Sequence, residues 1–326
     1  LEAEGRQPHV MMQVFQKRDS LLGGIDEAIA ILKLCAGRQD GEDWVPGWEE
    51  LEVHALHEAD PIAPRETVMT IAGDYSLFAH LETVYLGVLA RRSLIMHNVA
   101  EVVQAARGKQ IFYFPARHDH WLVQTGDGWS AHLAGAIGVS TDAQASWWGG
   151  RGMGTVPHGL IAAYAGDTVA AAQAFADRYA SQMNVTVLVD WENDSVQTAI
   201  QVADALGDRL YGVRLDTSEN MVDRNLLDEL GDFRPTGVNP RLVEKVRAAL
   251  DAAGHDRIRI VASGGFTAER ITEFEAAGVP VDAYGVGSSL IRGANDFTAD
   301  IVMVDGRPCA KAGRGYRPNE RLERVQ

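Results

Sequence analysis

Two short glycine-bearing segments carry the residue types best suited to chemistry. Ala262-Ser263-Gly264-Gly265 follows a strand-like run at residues 258–261, and Gly285-Val286-Gly287-Ser288-Ser289 closes another that begins at Val281. One helix's length of chain, residues 268–277, lies between them. In a strand, glycine turn, helix, strand, glycine turn succession, backbone N–H groups can approach an anion with no Cβ in the way. Paired turns at the last strands of an α/β barrel commonly hold a phosphate. The spacing predicts that Ser263, Gly264, Gly265, Gly285, Gly287 and Ser288 bind the phosphate of a small molecule.

Other strand-like runs end in polar residues. Phe114 is followed by Pro115-Ala116-Arg117-His118-Asp119-His120, Val139 by Ser140-Thr141-Asp142, and Val189 by Asp190-Trp191-Glu192-Asn193-Asp194. In Val213-Arg214-Leu215-Asp216-Thr217, strand alternation points Arg214 and Asp216 the same way. Gly154-Thr155-Val156-Pro157-His158 precedes a helical stretch. The carboxyl ends of parallel strands are where barrels keep their chemistry. A mouth of Arg, His, Asp and Gly suits a polyanion together with a metal. Asp190, Glu192, Asp194 and Asp216 are candidate Mg²⁺ ligands, because Mg²⁺ takes few carboxylates and completes its shell with phosphate oxygens. Arg117 and Arg214 could grip a carboxylate through paired hydrogen bonds, with His118 and Thr141 as further substrate-binding candidates. Plainer roles stand beside these. Asp190 and Asp216 also suit helix caps, Arg214 an ion pair with a neighbouring carboxylate, His118 and His120 an ordinary loop, and His158 a structural place. Trp147-Trp148 reads as core or interface.

The elements that must position these residues fall into two rhythms. Before about residue 108, a helix at 22–34, strands at 53–56 and 67–71, and helices at 76–90 and near 98–106 make an α+β mixture with antiparallel character. From about Gln110, short strands at 111–114, 136–139, 185–189, 211–215, 258–261 and 283–286 alternate with helices at 167–180, 196–206, 240–253 and 268–277. Such alternation implies a parallel sheet, and the number of units suggests a barrel. After Arg292 the rhythm stops, and the tail is expected to pack back on the first domain. The expected division is an N-terminal domain of 1–108 completed by 293–326, and a barrel of 109–292.

Composition narrows the partners. Thirty Lys and Arg against 45 Asp and Glu give a net charge of −15, which speaks against a nucleic-acid surface but leaves room for a local basic pocket. No apolar run approaches the length of a membrane span. Two cysteines, Cys35 and Cys309, offer neither a disulfide framework nor zinc-ligand spacing, so no zinc is expected. The opening residues carry no initiator Met and no signal-peptide pattern, and a cytoplasmic location is expected.

Taken in order and spacing, the motifs resemble those of the nicotinate phosphoribosyltransferases, within the wider group that includes quinolinate phosphoribosyltransferase. They are Leu81-Glu82-Thr83-Val84-Tyr85-Leu86-Gly87, Ala116-Arg117-His118, Gly154-Thr155-Val156-Pro157-His158, Leu188-Val189-Asp190, Gly212-Val213-Arg214-Leu215-Asp216-Thr217, Ser263-Gly264-Gly265, Tyr284-Gly285-Val286-Gly287-Ser288 and Asp305-Gly306-Arg307-Pro308. The resemblance implies an α/β chain with an N-terminal α+β sandwich-like domain and an irregular open α/β barrel, assembled as a homodimer or higher homo-oligomer. It implies transfer of phosphoribosyl from phosphoribosyl pyrophosphate to nicotinate, with Mg²⁺, and allows ATP as a co-substrate through a phosphorylated histidine. Carried over motif by motif, that histidine is His158 and the nicotinate carboxylate ligand is Arg214. Asp190 and Asp216 are read as catalytic groups that stabilise the sugar or hold Mg²⁺. The chain departs from the family in showing no aromatic Asp-x-Tyr segment near its start, and in carrying Asp190-Trp191 where Asp-Thr is usual.

Three rival readings remain at this level. Quinolinate phosphoribosyltransferase needs a denser set of cations, part of which Arg117, His118, His120 and Arg214 could supply. An aldolase would want a lysine on a barrel strand, and these strands have none. A non-catalytic relative that binds a phosphoribosyl ligand or nucleotide is the reading from outside enzymology.

Overall fold

A computed structural model describes residues 1, 4–231 and 233–326. Its contacts divide the chain into one unit of 1–97 with 293–326 and a second of 98–292.

The first unit is built on an antiparallel sheet ordered Arg307–Pro308, Phe297–Val304, His9–Gln16, Thr67–Asp74, Glu52–Ala55, Glu323–Arg324. The tail thus supplies both edges of the sheet. Thr67–Asp74 is buried along almost its whole length, and Val14, Met69 and Ile71 lie at the heart of the core with Tyr85 and Leu89. Helix Ile25–Cys35 turns Ile25, Ala28 and Leu32 inward, the i, i+3, i+7 stripe of an amphipathic helix. The sequence reading gave no element to residues 9–16. That strand is buried on both faces over most of its length, so it lacks the alternation that marks a half-exposed strand.

One expectation needs correction. The two helices expected at 76–90 and 98–106 are one continuous helix, Glu82–Ala105, preceded by single 3₁₀ turns. The helix runs on through Arg91-Arg92-Ser93. Arg92 Nε donates to Glu27 Oε2 at 2.9 Å, and Ser93 Oγ accepts from the Gly23 N–H at 2.9 Å. The backbone of Gly23 runs so close to the helix that a Cβ there would lie 2.7 Å from the Arg92 carbonyl carbon.

The second unit holds an open, all-parallel sheet ordered Val185–Leu188, Leu210–Leu215, Arg259–Ala262, Ala283–Val286, Gln110–Tyr113, Gly138–Val139. This is the irregular open α/β barrel expected, a half-barrel in outline. The strand expected at 136–139 shrinks to its last two residues. Helices Thr168–Tyr179, Ser195–Leu206, Pro240–Ala252 and Ala268–Ala276 connect the strands. Each starts at a side-chain cap: Asp167, Asp194, Asn239 and Thr267 respectively. Register sets the site. Arg214 pairs with Val261, Ala262 with Tyr284, and Gly285 with Phe112, so the ends of neighbouring strands open on one side.

In the first unit, the Glu58 carboxylate accepts from the N–H groups of Gly24 and Asp26 at the start of helix Ile25–Cys35. Burial, then the nearby Asp26 charge, push its pKa up to about 7. A carboxyl with a raised folded-state pKa contributes stability fully present below its unfolded value, and that contribution is lost as pH rises through 7. Glu58→Gln should therefore gain in Tm relative to the parent between pH 5 and pH 8. A Tm difference independent of pH would contradict this.

Candidate active site

At the carboxyl end of the parallel sheet lies a cavity of about 140 Å³. Its lining includes Ser263, Gly264 and Gly265 from the first glycine turn and Gly285, Gly287 and Ser288 from the second. Arg117 and His118 enter from the segment after Gln110–Tyr113, and Arg214 and Asp216 from the end of Leu210–Leu215. The structure therefore gathers ten of the residues singled out in the sequence around one space.

The turns have the geometry an anion needs. Gly264 and Gly265 take φ of +86° and +73°, consecutive left-handed conformations that L side chains rarely adopt. Gly285 and Gly287 are glycine for a different reason, close approach. A Cβ on Gly285 would sit 2.7 Å from the Phe114 ring, and one on Gly287 would sit 3.1 Å from His118 Cε1. Among the described residues, the N–H groups of Gly264, Gly265, Phe266, Thr267, Gly287 and Ser288 reach no backbone acceptor. Thr267 also begins helix Ala268–Ala276, whose N-terminal dipole favours negative charge. Ser289 Oγ donates to the Phe266 carbonyl at 2.8 Å and fastens the second turn to the first.

Across the cavity, Arg214 is held from several sides. Its Nε donates to Ser263 Oγ at 2.8 Å and its Nη1 to Thr155 Oγ1 at 3.4 Å. Nη2 lies 3.3 Å from Asp216 Oδ2, and the guanidinium carbon sits 5.0 Å from the centre of the Phe114 ring. Cation–π contact of this kind contributes roughly 0.5–2 kcal/mol. A guanidinium has five N–H donors. Three are committed, which leaves one on each terminal nitrogen, the pair that grips a carboxylate end-on. The Arg214 side chain is only 18% exposed, so the fork is fixed before any ligand arrives. Asp216 has both oxygens engaged, Oδ1 by the Ser263 hydroxyl at 2.7 Å and Oδ2 by Arg214.

His158 and Asp190 form a second arrangement beside this one. His158 Nε2 lies 2.9 Å from Asp190 Oδ1. Asp190 is 6% exposed and His158 42%. An ionised carboxylate only accepts, so Nε2 carries the proton and Nδ1 keeps its lone pair when the ring is neutral. The hydrogen bond that His158 donates to Asp190 raises the His158 pKa, burial opposes it, the charges of Asp190 and Asp216 add to the rise, and Arg214 lowers it. His118 is pushed the other way, by burial first and then by Arg117, with Arg292 adding to the fall and a hydrogen bond with the Pro115 backbone opposing it.

Thr141 is not in the cavity lining. It caps helix Asp142–Ala145 in a reciprocal capping box with Gln144, and its hydroxyl donates to Gln124 Oε1 at 2.8 Å. Asp194, one of the four carboxylates considered for Mg²⁺, is the N-cap of Ser195–Leu206. Neither Asp190 nor Asp216 caps a helix. Among the described residues no group of three or more His, Cys, Asp or Glu side chains converges as a metal site, and no helix is long and apolar enough to cross a membrane. Sequence reasoning missed Phe114 and Arg292, both in the cavity lining. Arg292 follows the second turn by four residues, a cation whose placement beside a glycine turn was a usable signal. Phe114 gave none, because its role depends on the approach of Arg214.

Comparison with known proteins adds independent findings. Residues 2–93 match the family described as quinolinate phosphoribosyl transferase, N-terminal domain. A nicotinate phosphoribosyltransferase of Mycobacterium tuberculosis is 31% identical over 273 residues, covering 81% of this chain and 54% of that protein. The chain thus spans about half the length of the curated relatives it matches. Among solved structures, the nicotinate-nucleotide pyrophosphorylase of Pyrococcus furiosus superposes with a TM-score of 0.80 at 30% identity, covering 100% of this chain and 79% of that one. Human nicotinic acid phosphoribosyltransferase shares the fold, with a TM-score of 0.69 at 17% identity over 96% of this chain and 74% of its own.

The His158–Asp190 pair yields a direct test. The His158 imidazole should titrate above about 6.5, the unperturbed value for histidine, when followed by NMR. In Asp190→Asn it should fall, since the hydrogen bond and the charge that raise it are lost while burial still acts. The stability the pair contributes is fully present below the unfolded pKa and is lost as pH rises through the folded one. An unchanged titration in the variant would separate His158 from Asp190.

Proposed function

Since the chain belongs to the quinolinate and nicotinate phosphoribosyltransferase family, we propose that it joins nicotinate to phosphoribosyl pyrophosphate, giving nicotinate mononucleotide and pyrophosphate. The observation that carries this reading is the placing of a pre-formed guanidinium fork, Arg214, in the same cavity as two glycine turns in which, among the described residues, the N–H groups of Gly264, Gly265, Phe266, Thr267, Gly287 and Ser288 reach no backbone acceptor. The turns take the 5-phosphate and Arg214 takes the single carboxylate of the pyridine acid. Held so, the ring nitrogen faces C1 of the ribose. Its lone pair forms the new N–C1 bond as the C1–O bond to pyrophosphate breaks, so no proton has to be removed. The rate gain comes from positioning and from charge set against charge, with no protein nucleophile on the sugar. Arg117 and Arg292 are the cations left to meet the pyrophosphate. Local cations in a chain of net charge −15 concentrate the anionic substrate at the site.

Mg²⁺ belongs to this proposal. When bound, it neutralises charge on the departing pyrophosphate. Asp190, with one oxygen on His158, would hold it together with substrate oxygens, in keeping with the few protein ligands Mg²⁺ uses. Asp216 instead serves Arg214, which it orients and balances. For an ATP-coupled version, His158 is the acceptor: its Nδ1 lone pair would take the γ-phosphoryl group and ADP would leave, with Asp190 orienting the ring. A homo-oligomeric assembly, which rests on the family resemblance, and a cytoplasmic location, which rests on the sequence reading, complete the proposal.

A second reading, quinolinate as substrate, is favoured by one observation, the three arginines around the cavity. Against it, the lowered pKa of His118 keeps that side chain neutral near pH 7, and one guanidinium fork is available for one carboxylate. The deciding assay measures nucleotide formed from phosphoribosyl pyrophosphate with nicotinate, nicotinamide or quinolinate, each with and without ATP. Nicotinate mononucleotide from nicotinate is the expected product. No nucleotide from any of the three would leave the chain a binding protein. Arg214→Ala should lower kcat/KM for nicotinate by at least tenfold, about 1.4 kcal/mol. Arg214→Lys should do nearly as badly, because an ammonium cannot fork. A smaller loss would remove Arg214 as the carboxylate clamp.

A further inference from the structure

The first glycine turn does not hold its own shape. Two consecutive residues with positive φ make a segment with many alternatives, and neither carries a side chain to pack. What fixes it is a residue outside the cavity. Arg270, in the first turn of helix Ala268–Ala276, is not part of the cavity lining and reaches the turn from behind. Its Nη1 donates to the Gly264 carbonyl at 3.0 Å and more weakly to that of Gly265 at 3.5 Å. Its Nη2 donates to the Val238 carbonyl. The guanidinium carbon lies 4.5 Å from the centre of the Phe266 ring and 5.9 Å from that of Phe274.

A trans peptide points its C=O and N–H in opposite directions. A guanidinium that holds the Gly264 and Gly265 carbonyls on the far side therefore aims the N–H groups of Gly265 and Phe266 into the cavity. We propose that Arg270 is a positioning residue for phosphate binding: it pre-sets the turn from outside, so the ligand meets N–H donors already aligned. The inference rests on the reading that the cavity takes the 5-phosphate.

The placement of Arg270 runs against its local electrostatics. A cation in the first turn of a helix opposes the helix dipole. Burial, followed by the charge of Arg234, lowers its pKa, with Glu219 and Glu273 in partial opposition. A guanidinium kept where both burial and the dipole disfavour it must return something, and the carbonyl bonds are what it makes there. Behind it lies a separate cavity of about 420 Å³, lined among others by Glu219, Arg234, Thr236 and Asn239. Nothing else on that side is bonded to the carbonyls of Gly264 and Gly265 among the described residues.

The test compares parent, Arg270→Gln and Arg270→Lys by calorimetric titration with ribose 5-phosphate, and by KM for each substrate. In Arg270→Gln, ribose 5-phosphate binding should weaken about tenfold, and KM for phosphoribosyl pyrophosphate should rise in step. KM for nicotinate should stay within about twofold, a split that general loosening of the fold would not produce. Arg270→Lys keeps the charge but gathers its donors on a single nitrogen, and should fall between the two. If the Gln variant fails to fold, the Lys variant carries the same comparison. Parent-like ribose 5-phosphate binding in the folded variants, or an equal rise in both KM values, would overturn the inference alone. A parent protein that does not bind ribose 5-phosphate would overturn both the inference and the phosphate reading beneath it.

Discussion

The arrangement at the carboxyl end of the parallel sheet depends on one constraint: backbone N–H groups left without backbone acceptors. Buried or half-buried amides seldom stay unpaired. Here, among the described residues, six reach no backbone acceptor side by side, in two turns fastened to each other by Ser289. Glycine makes this possible in two ways, through positive φ at Gly264 and Gly265 and through close approach at Gly285 and Gly287. An anion is the natural partner of such a cradle, and the rest of the site is laid out around where that anion would sit.

The charged residues sort into linked tasks. Arg214 faces the cavity with its fork half spent, and Asp216 and Ser263 keep it still. Ser263 sits at the hub, bonded to Arg214 and Asp216 and next in sequence to the glycine turn. A ligand phosphate and a ligand carboxylate would thus be held by groups one side chain apart. His158 is tied to Asp190 and feels the charges of Asp216 and Arg214, so its protonation is coupled to the same set. Changing one member should move the others, and additivity is not expected among them.

Much of this was legible because the determinants are local. Glycine turns leave a mark in the sequence, and the alternation in Val213-Arg214-Leu215-Asp216 fixes which residues share a face. The parallel strands read clearly because helices separate them. Where reading failed, the cause was tertiary. Strand His9–Gln16 is buried on both faces and so has no period-two pattern. Helix Glu82–Ala105 runs on where two helices were expected, and Arg92 inside it is met by Glu27, a partner 65 positions away. Asp194 drew attention as a metal candidate, although Asp194-Ser195-Val196-Gln197 also carries the spacing of a helix cap, which is what it forms. Arg270 and Phe114 act only through what folding brings next to them.

The central claim is that the two turns together bind a phosphate through their backbone. Amide NMR shifts during titration with ribose 5-phosphate test it most directly. The account predicts large, saturable shifts at Gly264, Gly265, Phe266, Thr267, Gly287 and Ser288, following a single binding curve. Saturable binding with shifts elsewhere and none at these amides would contradict it.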